Sequence, residues 1–271
     1  MTVLIWYLWG EGMPPGKKRL PSPQQQVASV GLTDASRANE VWQLWSHGNV
    51  LKTVPDIEPL LASRNSKTDP AQIRLQRYLD DLQFAVGTLP SDQQLFLHMQ
   101  IDVNKPERLL HHYDLENYLT PVVGRFGVGH FIFVSATKSV GRGSHLTIGY
   151  AVSLGHYSAL EGWSDFDYHA GSGATKKEWK EGIRNALLNT RPQLLPPGPA
   201  FVHLVWRCAR QRNWATLWKP TGDAMGPVLG EPSARNPFNP SDDRIVSLGL
   251  HLNVDDAMGY DVDVGMWWRS V

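Results

Sequence analysis

Six ionisable side chains in three short segments have the types that a hydrolytic metal site needs. The segments are DLEN with Asp114 and Glu116, KPTGDAMG with Lys219 and Asp223, and SDDR with Asp242 and Asp243. Magnesium prefers oxygen ligands and keeps several waters. When bound, it activates water and offsets charge on a phosphodiester, and a nearby ammonium stabilises the charge that develops. The sequence therefore predicts a Mg²⁺ site with these ligands: Asp114, Glu116, Asp223 and Asp242. The same hypothesis assigns catalytic roles to these residues: Lys219, Asp223, Asp242 and Asp243.

Each of these residues also has a simpler structural interpretation. Asp114 is well placed as a helix N-cap. Lys219 and Asp223 are four residues apart, which is the spacing of a surface ion pair on a helix. Asp242 and Asp243 follow a Pro- and Asn-rich stretch and have the composition of a turn. On the sequence alone, the catalytic and structural hypotheses both stay open.

The elements that position these residues occur twice along the chain. Residues 114–127 and 213–230 are each predicted to form a helix containing a proline. Residues 114–127 align with 213–226 without a gap, which places Pro121 on Pro220. Each helix follows one predicted strand and precedes two, and these strands are 95–103, 130–138 and 145–152, then 200–209, 243–254 and 261–269. A repeated order of this kind indicates an internal repeat. We therefore predict an α+β fold in which mixed or antiparallel sheets each carry a kinked helix, arising from a tandem duplication.

The remaining segments are predicted from periodicity and caps. The apolar stretch at 1–9 is predicted as a strand, and two helices are expected at 34–47 and 54–61. A third helix starts at the cap Asp69 and stops at Gly87. A surface helix over 174–189 precedes a proline-rich linker. The predicted organisation is an N-terminal region at 1–94, a first α/β half at 95–190 and a second half at 191–271.

The second half resembles the RusA family of Holliday-junction resolvases. That family carries Asp-x-Asp-Asn, then Lys-Pro and Asp-Ala-Leu on a helix, and a downstream Asp-Asp that leads into a strand. KPTGDAMG (219–226) and DDRIVSLGL (242–250) match the later elements, and DLEN (114–117) resembles the first, with Glu116 in place of the second aspartate. The resemblance implies a Mg²⁺-dependent, structure-specific endonuclease that acts on DNA in repair and recombination.

Neither half holds the whole family pattern. In the second half, Asn213 and Ala215 stand where the family has its paired aspartates. In the first half, Thr120 stands at the lysine position and Gly124 at the aspartate of Asp-Ala-Leu. The alternative is therefore a non-catalytic binding or scaffolding module derived from the same fold. A third hypothesis, an enzyme acting on a small ligand in a Trp-lined pocket, has no nucleotide-binding loop or serine elbow to support it.

Composition limits the partners that the chain can have. Basic and acidic residues balance at 26 each, which argues against a uniformly basic nucleic-acid-binding surface but allows a local patch. Four basic residues are candidate nucleic-acid contacts: Lys138, Arg142, Arg212 and Arg244. The single cysteine, Cys208, lies in an apolar run and is expected to be a buried thiol. No signal peptide or membrane-spanning run is apparent, so a cytoplasmic location without a membrane partner is expected. A homo-oligomer or a larger assembly stays open.

Overall fold

Alternating apolar residues along the strands build one mixed sheet. The computed structural model describes residues 42–61, 66, 68–111, 114–157, 162–171, 174–233 and 235–271. The strands are β1 (Trp42–Val54), β2 (Leu95–Asp102), β3 (Phe131–Ser139), β4 (His145–Tyr157), β5 (Ser164–Ala170), β6 (Ala200–Cys208), β7 (Ile245–Val254) and β8 (Val262–Ser270). They form an eight-stranded sheet in the order β1-β4-β2-β3-β7-β6-β8-β5.

The strand pairing is the same on both sides of the β3–β7 pair. On one side, β2 pairs in parallel with β3 and antiparallel with β4, and β4 pairs antiparallel with β1. On the other side, β6 pairs in parallel with β7 and antiparallel with β8, and β8 pairs antiparallel with β5. The antiparallel β3–β7 pair joins the two sets. The α+β class is confirmed, with the strands of both halves in a single sheet, whereas a tandem duplication as the origin of this arrangement stays a prediction.

The helices pack on one face of the sheet. They are α1 (Pro70–Val86), α2 (Leu115–Phe126), α3 (Lys176–Thr190), α4 (Ala215–Asp223) and α5 (Gly226–Leu229). Their apolar side chains share one cluster with every second residue of the central strands. Helix α1 starts and ends as predicted, because Asp69 accepts a hydrogen bond from the Ala71 amide (2.8 Å) and Gly87 adopts a φ of 77°. An L residue would be strained at that φ, so glycine ends the helix there.

Two predictions before residue 94 are wrong. Residues 42–47, predicted as the end of a helix, form the start of β1, and residues 54–61 contain no helix. The physical reason is the alternation at the start of β1, where Trp42 and Leu44 are buried two residues apart. These two side chains pack with Val205 and Trp267 in a second apolar cluster. The predicted strand at 1–9 and the first part of the 34–47 helix lie outside the described residues.

Tryptophans fill much of the core. Several are at most 3% exposed, among them Trp206, Trp214, Trp218, Trp267 and Trp268. Two indole N–H groups point at one hydroxyl in the middle of α4, because Thr221 Oγ1 accepts from Trp179 Nε1 (3.0 Å) and from Trp206 Nε1 (3.4 Å). Thr221 is fully buried. This hydroxyl therefore joins α3, α4 and β6 at one point. Cys208 is also buried, and burial raises the pKa of its thiol to about 11.

We expect Thr221→Val to lower the free energy of unfolding by roughly 1–3 kcal/mol, because valine keeps the shape but leaves buried indole donors without an acceptor. Urea unfolding followed by tryptophan fluorescence measures the change. Thr221→Ser keeps the acceptor and is the matched control, with a smaller loss expected. Equal stability of the Val variant and the wild type would contradict the role given to this hydroxyl.

The sheet face away from the helices carries neutral histidines. His251 Nδ1 accepts from the Trp45 amide (3.2 Å), so its Nε2 carries the proton and donates to His203 Nδ1 (2.8 Å). His98 contacts the Ser135 hydroxyl at 2.9 Å. Burial lowers the pKa of His98 to about 3 and that of His203 to about 4, and it lowers the pKa of His251 well below 6.5. These imidazoles are therefore uncharged in the folded state at neutral pH.

Acid is expected to destabilise the fold through these histidines. Since each folded pKa lies below the unfolded value of 6.5, the unfolded chain takes up protons that the folded chain does not, and stability is lost as the pH falls below about 6.5. Each group contributes roughly 1–2 kcal/mol of loss between pH 7 and pH 5. Between pH 7 and pH 5, the free energy of unfolding of the wild type should therefore fall by about 1–2 kcal/mol more than that of His98→Gln. Urea unfolding at each pH measures the difference. Parallel curves for the two proteins would contradict the prediction.

Candidate metal centre

The acidic residues of the two halves meet where α2, α4 and the segment before β7 converge. Asp114 lies at the N-cap position of α2, but its side chain makes no capping hydrogen bond. Its Oδ2 instead accepts from Asn117 Nδ2 (3.0 Å) and from Lys219 Nζ (3.3 Å). Asp242 begins a 3-10 helix, Asp242–Arg244, directly before β7. The capping hypothesis for Asp114 thus describes its position on the helix but not the contacts of its carboxylate.

One ammonium group touches four carboxylates at this point. Lys219 Nζ, on α4, lies 3.1–3.3 Å from one oxygen of each, and the partners are Asp114 (3.3 Å), Glu116 (3.1 Å), Asp223 (3.1 Å) and Asp242 (3.2 Å). The predicted pair between Lys219 and Asp223 is present, but as part of this larger group. We call the four carboxylates and Lys219 the seam cluster, because Asp114 and Glu116 come from the first half and the others from the second.

Three of the carboxylates are close enough to hold one metal ion. Asp114, Glu116 and Asp242 each offer an oxygen, and these oxygens lie within 4.8 Å of one another. An octahedral Mg²⁺ with oxygens at 2.0–2.1 Å places its ligands about 3–4 Å apart, so a contraction of about 1 Å would bring all three onto one ion. Glu116 Oε1 is buried and accepts no hydrogen bond, although Lys219 is near. The donor set therefore fits a hard divalent cation.

Burial shifts the titration of this cluster. Glu116 and Asp242 are each 8% exposed. Loss of solvation raises the pKa of Asp242 to about 8 and also raises the pKa of Glu116, with further elevation from the neighbouring carboxylates. The same carboxylates raise the pKa of Lys219 against the effect of its burial, so this ammonium stays charged. Lys219 opposes the rise in the pKa of both carboxyls.

Two further lysines stand beside the cluster. Lys180 on α3 contacts Asp223 Oδ2 (3.3 Å). Lys138 on β3 is only 5% exposed and donates to the backbone carbonyl of Asp243. Burial lowers the pKa of Lys138 to about 8, while Asp243 and the cluster carboxylates oppose that shift. Sequence analysis missed Lys180 altogether, since it sits in an ordinary amphipathic helix and no motif marks it.

The other predicted site residues lie at different places. Asp243 does not reach the seam cluster, and its carboxylate faces His111 (3.9 Å). Arg244 donates to backbone carbonyls of the 195–198 linker and of Leu229, so it serves to hold that linker. Arg142 is exposed in the β3–β4 turn, and Arg212 is half-buried after β6. Asp102 accepts from the Gly141 and Gly143 amides, which fixes that turn.

A cleft of about 690 Å³ opens beside the seam cluster. Its lining includes Asp114, Asp242 and Asp243, together with His111, Arg244 and Pro240. A ligand in this cleft could therefore reach the oxygens of Asp114 and Asp242 directly. Glu116 and Lys219 belong to the cluster but do not line this cleft.

Comparisons with family models, with curated proteins and with solved structures find no match for this chain. Among the helices in the described ranges, none combines the length and the apolar character needed to cross a membrane.

In EDTA, we expect Lys219→Met to lower the free energy of unfolding by about 2 kcal/mol. Breaking a fully buried ion pair typically costs about 3–5 kcal/mol, and the loss is smaller here because the Lys219 side chain is 39% exposed. Mg²⁺ or Mn²⁺ should then raise the melting temperature of the variant more than that of the wild type, because an added cation replaces the missing ammonium. Differential scanning calorimetry with and without metal measures both effects. Lys52→Met, at an exposed position of β1, is the control, and a K219M variant that melts like it would contradict the role of Lys219.

Proposed function

We propose that this chain is a Mg²⁺-dependent nuclease. The observation that carries the proposal is the convergence of Asp114, Glu116 and Asp242, from two segments far apart in the chain, within 4.8 Å of one another beside Lys219 and an open cleft. A divalent cation bound there would activate water and offset the charge of a phosphodiester. The resemblance of the motifs to the RusA family supports branched DNA as the specific substrate, and the proposed compartment is the cytoplasm.

The protein groups have separate roles in this proposal. Asp114, Glu116 and Asp242 would hold the cation beside the cleft. Lys219 holds the carboxylates in place and supplies positive charge beside the cation site, where preorganised charge stabilises the transition state. Lys180 balances Asp223 and so leaves the other three carboxylates available to the cation.

A second candidate is a non-catalytic binding module, and one observation favours it. Lys219 Nζ already contacts all four carboxylates at 3.1–3.3 Å, so the ammonium itself serves as the internal cation. In that case the cluster would hold the two halves together without a metal. Isothermal titration calorimetry with Mg²⁺ separates the candidates, because only the nuclease requires saturable binding.

The decisive test is cleavage of end-labelled four-way junctions, flaps and linear duplexes in Mg²⁺, Mn²⁺ or EDTA. We expect cutting of the branched substrates that EDTA abolishes. Asp114→Asn, Glu116→Gln and Asp242→Asn should each lower the rate by 100-fold or more, on the order of the effect of disrupting a metal site.

Two variants make this test specific. Asp81→Asn, on the exposed side of α1, should cut at the wild-type rate within about twofold, as expected of a surface change. Asp243→Asn should lose less activity than Asp242→Asn, because the Asp243 carboxylate lies outside the seam cluster. Normal cutting by Asp242→Asn, or no cutting by the wild type in any metal, would reject the nuclease.

A further inference from the structure

The pairing of β3 with β7 defines which residues of the two halves correspond. Ser135 pairs with Gly249, and the neighbouring pairs run in opposite directions, Val134 with Leu250 and Ala136 with Leu248. A local two-fold axis between Ser135 and Gly249 therefore relates each residue of β3 to the β7 residue that lies 114 positions later in the chain. The three-residue 3-10 helices before these strands, Val128–His130 and Asp242–Arg244, obey the same offset.

The helices correspond as well. The gapless match of Pro121 in α2 with Pro220 in α4 relates positions 99 residues apart. The two-fold mate of the seam cluster can therefore be named position by position. Asn213, Ala215 and Val128 stand at the mates of Asp114, Glu116 and Asp242, while Thr120 and Gly124 stand at the mates of Lys219 and Asp223.

All five mate positions lack an ionisable group. Trp214, at the mate of Leu115, is buried and directs its indole N–H at the Val128 carbonyl (3.5 Å), whereas Thr120 and Gly124 are exposed and line a separate cleft. Lys138 also lacks an ionisable counterpart, because the corresponding position in β7 is Leu252. The sheet is thus paired symmetrically, whereas the residues of the seam cluster have no ionisable counterpart at their mate positions.

We infer that each chain has one cleavage centre, built across the seam, and that its two-fold mate carries no metal. The inference rests on the proposed nuclease function and specifies its product. A two-fold arrangement with two centres can cut two strands of a four-way junction in one encounter. One centre cuts one phosphodiester, so the product of one bound chain is a nick.

The experiment counts centres by two independent measurements. Mn²⁺ binding is titrated by EPR on wild type, Asp114→Asn, Asp242→Asn and the mate-position variant Asn213→Ala, with circular dichroism to verify folding. Cleavage is then followed on a supercoiled plasmid that extrudes a cruciform, at protein concentrations where sedimentation shows single chains. We expect either acidic variant to remove all saturable Mn²⁺ and all cutting, and Asn213→Ala to stay within twofold of wild type.

The product order gives the second result. Nicked circles should accumulate first, and linear plasmid should follow only at a rate that rises with protein concentration. Linear plasmid formed directly by single chains, or about half of the bound Mn²⁺ retained in Asp114→Asn, would overturn the single centre and leave the nuclease proposal standing. A wild-type protein that binds no Mn²⁺ and cuts nothing would instead reject both.

Discussion

The contact of one lysine ammonium with four carboxylates is the interaction on which the site depends. Removing several charges from water is costly, and it is tolerated only where the charges are paired with good geometry. Here the pairing crosses the seam between the halves, since Lys219 lies on α4 and Asp114 and Glu116 on α2. The cluster can form only if the β3–β7 pair brings these helices together, so the continuity of the sheet and the chemistry of the site are linked.

Much of the fold could be predicted because its central elements have clear periods. Helix α1 has a cap, a proline in its first turn and leucines at helical spacing, and its bounds agree with the prediction. The strands β2, β3, β6 and β7 are apolar runs of strand length and were also located. Strand β5 was missed, because its sequence SDFDYHA buries only Phe166 and Ala170 and otherwise has the composition of a loop. The start of β1 differs from the predicted helix, because the spacing of Leu44 and Trp45 is compatible both with a helix and with a strand.

The candidate site was predictable in its residue types but not in its assembly. Acidic residues with a lysine at helical spacing indicated metal chemistry, and the structure brings Asp114, Glu116, Asp223 and Asp242 around Lys219. Which of two adjacent aspartates faces inward depends on the 3-10 helix before β7, and local sequence does not determine that. The glycine-rich basic turn at 141–145 makes the preceding Lys138 a candidate nucleic-acid contact, whereas tertiary packing buries Lys138.

A fold that is paired symmetrically does not require symmetric chemistry. The β3–β7 seam is held by backbone hydrogen bonds and by apolar side chains such as Val134 and Leu250, and these are present on both sides of the axis. Ionisable residues are not needed for the stability of such a fold, because well-packed apolar groups are often as stabilising as a buried ion pair. The mate positions carry Ala215 and Val128 where the cluster has Glu116 and Asp242, and Trp214 contacts the Val128 carbonyl. The seam cluster thus differs from its mate in chemistry and not in backbone pairing, and three of its carboxylates are close enough together to hold a cation.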